Sequence, residues 1–139
     1  MAGIVVALDQ AAKSAVLQSL GPHERVQTIP GFDLVVVGNK GIAFGFLGDG
    51  GAAVVAVTAI ALGLVLAWFA SDPSRPGMWL AVGMLAGGAL GNLADRARIG
   101  AVTDFIDPPL WPAFNLADVA ITGGAVLLVL IALGPPEKA

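Results

Sequence analysis

The chain has 139 residues, of which 57% are hydrophobic and only 12% charged, with a mean hydropathy of +0.86. A soluble domain carries about 25% charged residues, so this chain has too little polar surface to coat a water-soluble globule, and lipid must face much of it. The net charge of −3 comes without a basic cluster, so nothing suggests a nucleic-acid partner, and the absence of cysteine excludes disulfides, thiolate metal sites and a cysteine nucleophile.

In chain order, residues 1–20 are apolar enough to span a bilayer if Asp9, Gln10 and Lys13 face protein or a water-filled cleft. Asp9 and Lys13 are four residues apart and can pair on one helix face. The same polar residues argue against a cleavable secretory signal. Only eight residues precede Asp9 and none is basic, so the first span reads as short at its start. His23, between Pro22 and Glu24, reads as a solvated turn residue, and one histidine cannot build a multi-histidine metal site.

Residues 26–46 (VQTIPGFDLVVVGNKGIAFGF) differ in character. They are rich in β-branched residues, with turn signals at Pro30-Gly31 and around Gly38-Asn39-Lys40-Gly41. This predicts a two- or three-stranded cap on one membrane face.

A bilayer crossing needs roughly 20 apolar residues. Residues 51–70 supply 20 without a charge, with Trp68 near the end as an interfacial anchor. SDPSRPG (residues 71–77) is a turn, and residues 78–94 give 17 more uncharged positions. Gly83, Gly87, Gly88 and Gly91 in this third segment permit close helix approach. Residues 96–112 read as a polar loop, and residues 114–134 as a fourth span interrupted by one acid, Asp118. The expected fold is a membrane all-α protein with a small β element, residues 1–139 forming a single integral membrane domain. Four spans place both long connections on one face and both termini on the other. Arg25, Lys40, Arg96 and Arg98 then lie on the cap side, against Arg75 and Lys138 on the terminal side, so counting charges alone puts the cap in the cytoplasm.

Acids within membrane segments are costly and therefore functional candidates. Asp118 lies in the last span and Asp104 in the apolar run AVTDFID before it. If two such carboxylates converge at low dielectric, one pKa rises and the pair shares a proton. An aspartic peptidase needs that state: one carboxylate activates water while the protonated one polarises the scissile carbonyl. The residues admit a plainer account as well. Asp118 can serve the dipole of a helix beginning near Asn115, Asp104 and Asp107 can be wet loop carboxylates, and Asp95 with Arg96 can be an interfacial ion pair. Spacing alone does not choose between these.

Five blocks occur in order: LDQAAK (8–13), NKGIAFG (39–45), GNLADR (91–96), AVTDFID (101–107) and FNLADVAI (114–121). Together they resemble the lipoprotein signal peptidases, or signal peptidase II, from residue 8 to about residue 125. The resemblance implies four transmembrane helices with cytoplasmic termini and an extracytoplasmic β-cradle between helices 1 and 2, in the bacterial cytoplasmic (inner) membrane. It implies Asp104 and Asp118 as catalytic aspartates, with Asn92, Asp95, Arg96 and Asn115 around them. Asn39 and Gly41 match a motif on the substrate side, and Asp9 and Lys13 match a first-helix pair that supports structure. The implied substrate is a diacylglyceryl-modified prolipoprotein cut before its lipidated cysteine, without metal or cofactor. Membrane lipids and globomycin-type peptide inhibitors are the other implied partners, and nothing requires more than a monomer. Ala94 stands where a larger aliphatic residue is frequent in the family. Two other readings compete: a proton- or solute-conducting subunit with Asp118 as carrier site, and a structural protein held by its glycine-rich third span.

Overall fold

The structure, a computed structural model, describes residues 1–21, 24–41 and 51–134. His23, the second half of the NKGIAFG block and the Pro135-Pro136 ending with its polar tail lie outside the described residues. Among the described residues, four helices and a three-stranded antiparallel sheet follow in the order α1 (Ala2–Ser19), β1 (Val26–Ile29), β2 (Phe32–Asn39), α2 (Gly51–Ser71), α3 (Met78–Ile99), β3 (Val102–Asp107) and α4 (Leu116–Leu133).

Helix α3 packs against the three other helices, most extensively against α4 and α1. Its glycines make this possible. A Cβ on Gly87 would stand 2.6 Å from Val5 Cβ and 2.7 Å from Ala2 O of α1, and one on Gly91 would stand 2.8 Å from Asp9 Oδ2. On the other flank, a Cβ on Gly88 would run into Ala117 O of α4. Small residues thus bring the helix backbones together, as in membrane bundles, and bring α1's polar side chains within reach of α3 and α4.

Two of the described helices are long and apolar enough to cross a membrane by composition: residues Ala52–Ser71, with mean hydropathy 2.5, and Leu116–Leu133, with 2.4. Helices α1 and α3 are less apolar because they carry polar groups, and four of these point inward. Asp9, Lys13, Asn92 and Asp95 are all buried, whereas Ile4, Leu8 and Leu17 of α1 and Trp79, Leu90 and Leu93 of α3 are exposed. This is inverted relative to a water-soluble protein.

The expected cap is present, but its third strand comes from elsewhere. β1 and β2 form a hairpin across Pro30-Gly31, and β2 pairs on its other side with β3 in the register Val37↔Asp104 and Asn39↔Val102. The sheet therefore joins the α1–α2 connection to the α3–α4 connection. The polar loop expected over residues 96–112 is corrected twice. Helix α3 continues through Asp95, Arg96 and Arg98 to Ile99 and stops at Gly100, whose φ of 73° suits the left-handed cap that glycine favours. Immediately after, Val102–Asp107 extend into β3, whose first four residues are buried. Arg25 ties the sheet together, at 2.9 Å from Asp33 and 2.8 Å from Asp107. These two acids face each other across β2 and β3, and the shared guanidinium offsets their repulsion.

Candidate active site

The site lies where β3, the sheet and the N-terminal ends of α4 and of the polar stripe on α1 meet. After β3 the chain turns back, and Phe114 pairs with Ile106 through Phe114 N–H to Ile106 O and Ile106 N–H to Phe114 O, both at 2.9 Å. The next residue, Asn115, is thereby delivered beside β3 as the N-cap of α4. Its Oδ1 accepts the Asp118 N–H at 2.9 Å, and Asp118 Oδ2 accepts the Asn115 N–H at 3.2 Å. This reciprocal capping box satisfies two helix-end donors. The helix-start role open to Asp118 from sequence is thus real, and it also fixes where the Asp118 carboxylate sits.

Asn115 Nδ2 donates to Asp104 Oδ1 at 2.7 Å, so one asparagine bridges the two candidate catalytic carboxylates. Asp104 is 2% exposed, which excludes the wet-loop reading. Its Oδ2 accepts from Asn39 Nδ2 at 2.9 Å. The register explains this contact: Val37 lies opposite Asp104, and Asn39 is the diagonal neighbour on the same sheet face. Asn39 Oδ1 in turn accepts the Gly41 N–H at 2.8 Å. Burial pushes the Asp104 carboxyl above the usual aspartate range and the Asp118 charge adds to this, while the two amide donors and Lys13 pull the other way.

Each carboxylate faces a cavity. Asp118, partly exposed, lines one of about 430 Å³ with Trp111, Phe114, Val119, Thr122 and Gly123. Asp104 lines a second of about 310 Å³ with Val37, Gly38, Asn39, Lys40, Pro112 and Ala113. The segment between β3 and α4 contributes to each: Trp111 and Phe114 line the first, Pro112 and Ala113 the second. The first is apolar apart from Asp118 and Thr122, and the second is walled by a strand and its outgoing turn.

Behind the pair lies a buried charge cluster. Lys13 Nζ is 2.8 Å from Asp9 Oδ2, 2.8 Å from Asp95 Oδ2 and 3.2 Å from Asn92 Oδ1. The Asp9–Lys13 pairing expected from their spacing is therefore present. Asp9 also reaches α4, accepting the Ala117 N–H at 2.9 Å. Asn92 Nδ2 donates to Asp118 Oδ1 at 2.8 Å. The Asp95–Arg96 ion pair is corrected: Asp95 turns inward to Lys13, to Gln10 Nε2 at 2.9 Å and to the Thr103 N–H at 3.1 Å. Arg96 lies on a different helix face. Its Nη1 reaches only its own helix's Asn92 O, at 3.4 Å, and its Nε is buried with no hydrogen-bond partner among the described residues.

Asp104, Asp118, Asn39, Asn92, Asn115, Asp95, Asp9 and Lys13 thus belong to one hydrogen-bonded network. Gly41 enters through its backbone, and Arg96 stands at the margin. Gln10 and Thr103 are members that had no place among the candidates. Gln10 joins Asp9, Asp95 and the Gly91 carbonyl, and it accepts from Arg98 at 2.9 Å. Its signal was available as a polar residue beside Asp9 inside an apolar span. Thr103 acts through its backbone N–H and O, which no side-chain pattern announces. Among the described residues, no three histidine or acidic side chains gather as a metal cage would require.

Comparison with known proteins places the chain in context. The family described as Signal peptidase (SPase) II matches residues 1–134. The lipoprotein signal peptidase of Pelotomaculum thermopropionicum is 42% identical over 137 residues, covering 97% of this chain and 90% of that protein. Its counterpart from Syntrophotalea carbinolica is 43% identical over 141 residues, covering 94% and 86%. A solved bacterial membrane enzyme superposes with a TM-score of 0.86 at 30% identity, covering 99% of this chain and 91% of that one. The chain belongs to the lipoprotein signal peptidase (signal peptidase II) family.

Proposed function

We propose that this member of the signal peptidase II family is an intramembrane aspartic endopeptidase that removes the signal peptide from diacylglyceryl-modified bacterial prolipoproteins, cutting before the lipidated cysteine. The observation that carries the reading is the bridge through Asn115, whose side-chain amide donates to Asp104 and whose backbone N–H donates to Asp118, each acid facing a cavity. Two carboxylates held by one residue, one of them buried and favoured in its protonated form, are what general acid–base peptide hydrolysis needs.

The roles follow from the environments. Asp104, the more buried carboxyl, holds the proton and donates it as a hydrogen bond to the scissile carbonyl oxygen. Its two amide contacts still leave a lone pair and the O–H for substrate. Asp118, at the mouth of the larger cavity, accepts a proton from water as the water oxygen bonds to the carbonyl carbon. Collapse of the tetrahedral intermediate breaks the C–N bond and passes a proton to the leaving amine of the cysteine residue. Asn39, Asn92 and Asn115 orient the acids without adding charge. Their N–H donors stabilise carboxylate oxygens that would otherwise be desolvated.

On this reading all four helices span the bacterial inner membrane as one peptidase domain, with the sheet and the site towards the extracytoplasmic face. The inward polar stripe and outward leucines of α1 and α3 support their membrane placement. A lipidated substrate then enters laterally with its acyl chains still among lipids. The apolar cavity at Asp118 and the exposed outer face of α4, with Val119 and Val126, suit that approach. No cofactor enters the scheme, and a monomer contains every residue it uses.

The test is cleavage of a diacylglyceryl-modified prolipoprotein peptide by purified protein in detergent, with and without a globomycin-type inhibitor. Mass spectrometry of the products should show inhibitor-sensitive cleavage before the lipidated cysteine. Absence of cleavage by demonstrably folded protein would sink the peptidase reading and favour a carrier role for Asp118.

A further inference from the structure

The chain contains three asparagines, Asn39, Asn92 and Asn115, and every one of them places its Nδ2 on Asp104 or Asp118. An asparagine amide is nearly symmetric in shape, so its orientation is decided by what meets its two ends. For each of the three, a donor on the far side holds the oxygen: the Gly41 N–H for Asn39 and the Asp118 N–H for Asn115. These two locks are backbone groups. The third is a side chain, because Asn92 Oδ1 accepts from Lys13 Nζ at 3.2 Å.

Asn115 Nδ2 also approaches Asn92 Oδ1, at 3.1 Å, but it has two hydrogens for three acceptors. The shortest of these contacts, 2.7 Å, goes to Asp104. Lys13 has no such shortage: its three N–H bonds match Asp9, Asp95 and Asn92 one each. A flipped Asn92 would set its NH₂ against the Lys13 ammonium and its oxygen against Asp118 Oδ1. Both contacts would be repulsive in a buried setting, where Lys13 is 2% exposed.

From this geometry we infer that Lys13 is a positioning residue for Asp118, acting through the side-chain amide of Asn92. By holding the Asn92 oxygen, it aims the amide donor at Asp118 and fixes that carboxylate against α3. The inference deepens the peptidase reading and rests on it for its effect on turnover, but the amide orientation can be tested without any activity.

The experiment labels the protein with ¹⁵N-asparagine, which gives three side-chain NH₂ pairs, and compares it with Lys13→Ala. The Asn92 pair should shift in the variant while the Asn39 pair stays in place. A cavity of about 60 Å³ bounded by Gln10, Lys13, Asp95 and Arg98 adjoins the vacated space, so added propylammonium should restore the Asn92 signals. Tetramethylammonium, which has the charge but no N–H, should not. Turnover per folded molecule should fall by about 10–100-fold and recover with propylammonium alone, with KM changed by less than about twofold. A purely structural Lys13 would instead reduce the folded fraction and leave turnover per folded molecule intact. That result, or an unmoved Asn92 pair in folded Lys13→Ala, overturns the inference.

Where Lys13→Ala does not fold, Asn92→Asp keeps a partner for Lys13 but turns an acceptor towards Asp118. It should fold and lose turnover, and unchanged turnover overturns the inference equally. If the wild-type chain cleaves no lipopeptide, the peptidase reading fails, while the three-amide spectrum still decides whether Lys13 orients Asn92.

Discussion

Asp9 Oδ1 accepts the backbone N–H of Ala117 at 2.9 Å, joining residues 108 apart in sequence. Ala117 is in the first turn of α4, one residue before Asp118, and its N–H is among those a helix start leaves without an internal partner. A carboxylate from α1 thus caps α4 from outside while Asn115 caps it from within. The first-helix acid therefore helps set the height and rotation of the helix that carries Asp118.

Replacing Asp9 by alanine removes this cap and one of the two acids on Lys13. The expected loss is about 1–3 kcal/mol for the unsatisfied buried groups, read as a lower unfolding midpoint in detergent. Asp9→Asn should cost less, because its oxygen can still accept the Ala117 N–H. Equal stability of Asp9→Ala and wild type would show that the contact contributes nothing.

Asp104→Asn and Asp118→Asn should each lower the cleavage rate by about 10²–10⁴-fold, the range for loss of a general acid or base. Both variants should remain folded. Each asparagine keeps one acceptor oxygen, so one of the two N–H donors that meet each carboxylate stays satisfied. Thermal unfolding of the same preparations separates a dead site from a lost fold. If both variants still process substrate, the catalytic pair is misassigned even though the family stands.

Much of this was legible in the sequence. The apolar runs at residues 51–70 and 114–134 predict α2 and α4 because no charged residue interrupts them except Asp118. The i, i+4 spacing of Asp9 and Lys13 predicts their pairing. The third strand was not legible. AVTDFID follows a helix and precedes prolines, and strand formation there depends on β2, more than 60 residues away, presenting its edge to Val102–Asp107. The extension of α3 past Asp95 was hidden for a related reason. Charged residues at the end of an apolar run read as an exit into water, whereas here Asp95 finds Lys13 on another helix. The five blocks brought the site residues together by resemblance. What the sequence alone left open was which atom meets which, since that is set by long-range packing.

Gly41 has a φ of 80°, and a Cβ there would stand 2.9 Å from Val54 Cγ2 on α2. Gly41→Ala should therefore shift the turn and loosen its N–H from Asn39 Oδ1, releasing the amide that holds Asp104. Cleavage should drop by about tenfold or more, as misplacement near reacting groups does, with a smaller effect on unfolding temperature. Unchanged activity would show that Asn39 keeps its orientation by other means.

Gly88→Leu tests the helix packing. A Cβ at this position meets Ala117 O and lies 2.7 Å from Ile121 Cγ1, and backbone cannot yield as a flexible side-chain tip can. Overpacking of this kind costs about 1–3 kcal/mol and often more. The yield of monodisperse protein in detergent should fall sharply. A well-folded Gly88→Leu would mean that α3 and α4 pack less closely than described.

The pH dependence follows from Asp104. Burial, reinforced by the Asp118 charge, raises its pKa above the ordinary aspartate value, so the folded protein holds this proton where the unfolded chain has already released it. Between the ordinary and the raised value, the folded state binds more protons than the unfolded state, and stability falls as pH rises. The contribution is complete below the unfolded-state pKa and lost as pH passes through the folded-state value. Cleavage that requires protonated Asp104 should decline over the same rising limb. Unfolding midpoints and initial rates measured across this interval should move together in the wild type. In Asp104→Asn the stability limb should flatten, because the substituted amide does not titrate. A limb that persists in Asp104→Asn would assign the proton to another group and separate the burial of Asp104 from the pH dependence of the fold.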